Sequence, residues 1–196
     1  TPLTVAVGGS PGPNITQRVV SAGAPADMLL LAVAPEKLVG LSSFDLSRQT
    51  AIPFHDDIRA LPKLGRLAGR ASTLSLEALL ALKPDLVVDC GNADETWLSQ
   101  ARQVSAQTHI PWLLINGELR HTPEQLHAAG EALGVVSRTA MQAALARRFI
   151  DNAIAFSHTA AANLRFYAAR GARGLETGLQ GSLHTEAAEL DRKSVV

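Results

Sequence analysis

Apolar positions along this chain switch repeatedly between helical spacing and short solid runs, and the clearest switch lies between Leu74 and Asn92. There LSLEALLALKPDLVVDCGN passes through an apolar helix (Leu76, Leu79, Leu80, Leu82), a Lys83-Pro84 stop and the run Leu86-Val87-Val88. The run is too short and too apolar for anything but a strand covered on both faces. Further strands are predicted at Thr4–Val7, Arg18–Ser21, Leu38–Leu41, Ile110–Ile115 and Asn163–Ala168.

Helices are predicted between them. One starts at Gly23-Ala24-Pro25, with proline in the first turn, and ends before Pro35. A second runs to Val104 behind a capping box of Asn92 and Glu95, and a third follows the Thr122-Pro123-Glu124-Gln125 box and stops at Gly134. Ser137 is placed to cap a fourth, whose Met141, Ala144, Leu145, Phe149, Ala153 and Phe156 form one stripe over roughly 30 Å. Between Ser42 and Ser72 turn residues and charges replace periodicity, which marks functional or irregular chain. Strand, small-residue loop, helix is the order in which open α/β sheets form ligand sites, and Gly91-Asn92 occupies such a loop.

Composition narrows the partners. Eighteen basic and eighteen acidic residues give zero formal net charge, with no basic run, so nucleic acid is not an expected partner. Cys90 is the single cysteine, which excludes an intrachain disulfide or a multi-cysteine zinc site. The six histidines fall in no metal-ligand spacing; His55 beside Asp56 and Asp57 reads as a charged, solvated loop. No metal site and no catalytic residue is assigned. Gly171, Gly174, Gly178 and Gly181 follow a predicted strand and precede a helix predicted from Ser182, the setting of an anion cradle, but GxGxxG and GxxxxGK[ST] are absent. Arg48, Arg66 and Arg70 suit either an anionic ligand or plain solvent.

The order of Arg18-Val19-Val20-Ser21, Leu61-Pro62-Lys63-Leu64-Gly65, Leu76 through Val88, and Gly174-Leu175-Glu176-Thr177-Gly178 resembles the substrate-binding proteins of bacterial ABC importers for iron complexes, haem and cobalamin. The resemblance covers nearly the whole chain. It implies a three-layer αβα, Rossmann-like lobe with a mostly parallel sheet over residues 1–120, a connecting helical segment over 121–158, and the start of a truncated second α/β lobe over 159–196. It implies a periplasmic or cell-surface location, a permease and its ATPase as partners, and capture of a metal chelate without chemistry and without a cofactor of the protein's own. Glu77 and Glu189 match the glutamates offered to the permease.

Ligand contacts implied by the same resemblance come from Gly23, from Ser43 and Phe44, from Arg48, Arg66 and Arg70, from Gly91 and Asn92, from Gly117, and from Arg170 and Glu176. The arginines suit a negatively charged ferric chelate. The family continues for about another hundred residues, so the chain is expected to be a fragment whose incomplete lobe favours dimerisation. The competing expectation is a Rossmann-like enzyme domain that binds a phosphorylated ligand through residues 170–181.

Overall fold

The computed structural model describes residues 2–48, 53–67, 72–92, 94–159, 167–178, 181–183 and 185–190. Five short strands form one sheet: β1 (Thr4–Val7), β2 (Val19–Ser21), β3 (Leu38–Gly40), β4 (Leu86–Gly91) and β5 (Trp112–Asn116), in the order β1-β5-β4-β2-β3. Only β1 runs antiparallel, at the edge against β5; the remaining pairings are parallel. The helices around it are α1 (Ala24–Val33), α2 (Asp56–Arg59), α3 (Leu76–Ala81), α4 (Glu95–Thr108), α5 (Thr122–Leu133) and α6 (Val136–Ser157).

The period of two along the strands explains the layers. Val19, Val88 and Ile115 join Leu30 of α1 and Leu126 and Leu133 of α5 in one apolar cluster. Val20, Val87 and Leu114 belong to a second cluster, with Leu79 of α3 and Ala101 of α4. The central strands are apolar on both faces because both faces are covered, as their solid apolar runs require. The α/β class with a mostly parallel sheet is therefore the observed one.

Several helix ends differ from expectation. Asp94, not Asn92, caps α4: its Oδ1 accepts from Trp97 N–H at 3.1 Å, and α4 continues past Val104 to Thr108 before His109 turns left-handed at φ 57°. The Thr122 capping box does not form. Thr122 Oγ1 instead donates to the Leu119 carbonyl, and Gln125 Nε2 donates to the Glu118 carbonyl, because a short helical turn at Leu119–His121 already leads into α5. Ser137 lies inside α6, which starts at Val136 behind Val135.

The predicted stripe on α6 faces away from the sheet. Met141, Leu145, Phe149 and Phe156 are exposed, whereas Thr139, Ala143 and Ile150 are buried. Small residues set this choice: a Cβ on Gly130 of α5 would lie 1.9 Å from Thr139 Oγ1, so the two helices meet where neither carries bulk. α6 also grips the end of α1, with Arg138 Nη1 donating to the Val33 carbonyl and Gln142 Nε2 to the Ala32 carbonyl, both at 2.7 Å.

Near the C-terminus, positions 163–166 of the strand predicted at Asn163–Ala168 lie outside the described residues, and Tyr167 and Ala168 are not strand. β6 (Ala169–Arg170) pairs antiparallel with β7 (Glu176–Thr177), so Gly171 and Gly174 close a hairpin rather than link a strand to a helix. The last helix, α7, spans Glu186–Leu190 and begins four residues after the expected Ser182. Among the described residues no helix is long and apolar enough to cross a membrane.

Candidate functional site

A cavity of about 1060 Å³ opens at the C-terminal ends of the parallel strands, where an open α/β sheet leaves its loops free to hold a ligand. Its floor follows from two glycines. The Gly117 N–H donates to the Gly91 carbonyl at 2.8 Å, joining the ends of β4 and β5. Gly91, at φ 153°, has open space where a side chain would project.

One wall is built around the start of α1. The Ser21 hydroxyl donates to the Gly23 carbonyl at 3.0 Å, and the Leu67 N–H donates to the Ala22 carbonyl at 3.0 Å, which brings Arg66 beside the entry to α1. Gln100 Nε2 on α4 holds the Leu67 carbonyl at 2.8 Å. Asp27 of α1, wholly buried, gathers the next loop: its Oδ1 accepts from Ser42 N–H and Ser42 Oγ, both at 2.9 Å, and its Oδ2 accepts from Ser43 N–H at 2.9 Å and Phe44 N–H at 3.3 Å. Gly23 and Ser43 consequently line the same cavity.

The opposite side comes from β5 and α7. Asn116 Oδ1 accepts from Glu118 N–H at 3.0 Å, and Glu186 Oε2 accepts from Leu119 N–H at 2.8 Å. Both Glu189 oxygens accept from Gly181 N–H, at 3.0 and 3.1 Å. The Glu186–Leu119 bond draws segments 67 residues apart onto one rim. Trp97, in the first turn of α4, adds a half-buried aromatic surface.

The charge of the lining is acidic: Asp94, Glu118, Glu186 and Glu189 stand against Arg66 and Arg120. Beneath the floor, burial pushes the Asp89 carboxyl up to about 6. Burial, with the Asp89 charge beside it, pushes the Cys90 thiol up to about 12, so the one cysteine at the cavity is a neutral thiol and a poor nucleophile. Among the described residues no group of three or more His, Cys, Asp or Glu is placed to hold a bare metal ion.

Of the residues singled out from the sequence, Gly23, Ser43, Arg66, Gly91, Asn92 and Glu189 line the cavity. Gly117 lies just behind, packed on Gly91. Phe44 packs instead on the α1-side core. Arg48 is solvated, 3.9 Å from Asp45 and outside the lining. Arg170 and Glu176 pair across the β6–β7 hairpin, away from the lining, and Arg70 lies outside the described residues. Glu77 is exposed in the first turn of α3. Sequence reasoning passed over Trp97, Glu118, Arg120 and Glu186. Trp97 alone had a local signal, its place in the helix turn that follows the Gly91-Asn92 loop.

No family model matches the sequence, and no curated protein does. Solved structures do match. An ABC transporter solute-binding protein from Sulfurospirillum deleyianum superposes with a TM-score of 0.80 at 22% identity, over 92% of this chain and 57% of that one. The periplasmic vitamin B12-binding protein of Vibrio cholerae gives 0.68 at 18% identity, over 94% of this chain and 67% of that one. A periplasmic haem-binding protein from Roseiflexus sp. RS-1 gives 0.60 at 20% identity, over 89% and 64%. The chain thus has the fold of solute-binding proteins and spans 57–67% of the length of these three.

Proposed function

We propose that this chain is the solute-binding component of an ABC importer and that it captures an iron complex, a siderophore-like ferric chelate, at the cavity over β4 and β5. The observation that carries the reading is the cavity itself. About 1060 Å³ lies at the upper end of small-molecule pockets, room for a bulky chelate, and it sits on the fold that solute-binding proteins use. Its walls supply dipoles, carboxylates, two guanidiniums and an indole, and the Cys90 thiol among them is held neutral. The protein binds and releases its cargo unchanged.

The remaining assignments rest on the same reading. The working location is outside the cytoplasmic membrane, and the partners are a permease and its ATPase. Glu77, exposed on α3, is the docking contact offered to the permease from the sheet domain. Glu189, on α7 at the rim of the cavity, is the second docking contact of the same reading. Residues 1–120 are assigned to the first lobe, 121–158 to the connection and 159–196 to a second lobe, through which two copies associate. The acidic balance of the lining favours a neutral or cationic chelate over the strongly anionic one suggested by the arginine count.

Trp97 provides the test, because it borders the cavity while Trp112 is sealed in the core. Titrating the protein with a ferric trihydroxamate, cobalamin, haem and a nucleotide panel should quench Trp97 saturably with one metal complex. Response to a nucleotide alone would replace this reading with that of an enzyme domain for phosphorylated ligands.

A further inference from the structure

The hydroxyl of Ser42 lies 2.9 Å from Asp27 Oδ1 and 3.0 Å from the hydroxyl of Ser43. Each serine hydroxyl has a single proton to give. Asp27 already receives three backbone N–H groups besides the Ser42 hydroxyl, so its oxygens act as acceptors. Two acceptors facing at 2.9 Å would repel; the Ser42 proton therefore points at Asp27. With that proton committed, Ser42 Oγ can only accept from Ser43. The Ser43 proton is turned inward in its turn, so what Ser43, a residue of the cavity lining, has left to offer from its Oγ is lone pairs alone.

We propose that Asp27, acting through Ser42, makes Ser43 an acceptor-only recognition point, so that the ligand places a hydrogen-bond donor there, an ammonium, amide N–H or hydroxyl. The inference rests on the reading of the cavity as a chelate site and specifies the chelate's chemistry. Asp27 touches no ligand; it is a positioning residue that sets the direction of a two-hydroxyl chain. An acceptor group, such as a pendant carboxylate, meets lone pairs at Ser43 and is rejected, because discrimination is strongest where a mismatch leaves polar groups unpaired.

Three ferric trihydroxamates that differ only in the pendant group test this: ammonium, trimethylammonium and carboxylate. The first two carry the same charge and differ in the donor and in bulk, and the comparison with Ser43→Ala separates these two differences. The wild-type protein should bind the ammonium form about tenfold more tightly than the trimethylammonium form, the worth of one charge-assisted hydrogen bond. Ser43→Ala should erase that ratio. Ser42→Ala, which keeps the three backbone bonds to Asp27, frees the Ser43 proton and should raise affinity for the carboxylate form about tenfold. A gain of binding cannot come from a weakened fold. An ammonium preference that survives Ser43→Ala, or a carboxylate affinity unchanged by Ser42→Ala, overturns the inference while the chelate reading stands. If the wild-type protein binds none of the three, the chelate reading falls and takes the inference with it.

Discussion

Gly117 and Gly91 approach so closely that a Cβ on Gly117 would stand 3.0 Å from the Gly91 Cα and 3.2 Å from its nitrogen. The contact seals the ends of β4 and β5 and leaves the Gly91 peptide as the floor of the cavity. Gly117→Ala has only backbone to push against. It should cost about 1–3 kcal/mol, the usual range for forcing an extra methyl into packed structure, read as a lower urea midpoint, and it should weaken chelate binding as the floor shifts.

Gly91→Ala should behave differently. Its Cβ meets nothing within 4 Å, so the cost is the backbone strain of φ 153°. The methyl also enters the cavity. Ligand affinity should therefore fall further than stability does, which a paired titration and melt will separate.

Asp89 gives a pH signature. Its folded pKa of about 6 lies above the free value of 3.8, so in the folded state the proton is held more tightly than in the unfolded chain. Stability is then full below about pH 4, declines as pH rises through about 6, and stays flat above that. Asp89→Asn should add on the order of 2 kcal/mol at pH 7.5, from 1.36 kcal/mol per pKa unit with discount for relaxation. The gain should vanish near pH 4. Urea unfolding of both proteins at the two pH values checks the sign, and a loss at pH 7.5 would mean that the charged form is stabilised by its surroundings.

Gly130 tests the α5–α6 seam. Gly130→Ala drives a methyl into Thr139, whose Oγ1, Cβ and Cγ2 would lie 1.9, 2.9 and 3.1 Å away, so it should destabilise by about 2 kcal/mol. Adding Thr139→Ala removes two of those atoms and should restore part of the loss. Strict additivity in thermal melts would show that the helices do not meet here.

The two tryptophans should separate cleanly. Trp112 is 1% exposed and its indole N–H has no hydrogen-bond partner among the described residues, so Trp112→Phe removes an unsatisfied donor along with packing and should cost only about 1–2 kcal/mol. It should leave the ligand-dependent fluorescence change intact. Trp97→Phe should abolish that change with little effect on the melt.

The sheet was legible because the signals are local. Leu86-Val87-Val88 can only be a covered strand, and Gly134 ends α5 at φ 71° as a left-handed helix terminus does. The helix starts were less so, since Asn92 and Asp94 both suit a cap and the choice falls to whichever matches the path leaving β4. The α6 stripe misled for a related reason: apolar spacing marks a face, but a close helix crossing selects small residues, here Gly130 and Thr139. The site divides in the same way. Gly23, Ser43 and Gly91 sit in loops that follow strands, whereas Asp27 acts on a turn fifteen residues on and Glu186 bonds to Leu119 across 67 residues. No spacing rule carries such pairs.

The hold of Arg138 and Gln142 on the last carbonyls of α1 has a mechanical consequence. α1 is a strut clamped at its rear by α6, tied near its start to the Ser42–Phe44 loop by Asp27, and presenting its front, Gly23 to Pro25, to the cavity. A strut so held has no slack to take up when a ligand arrives. If the cavity holds a ligand as proposed, little entropy is spent in ordering that edge of the cleft, and affinity at this wall is governed by how well the ligand fits rather than by how far the protein must move to meet it.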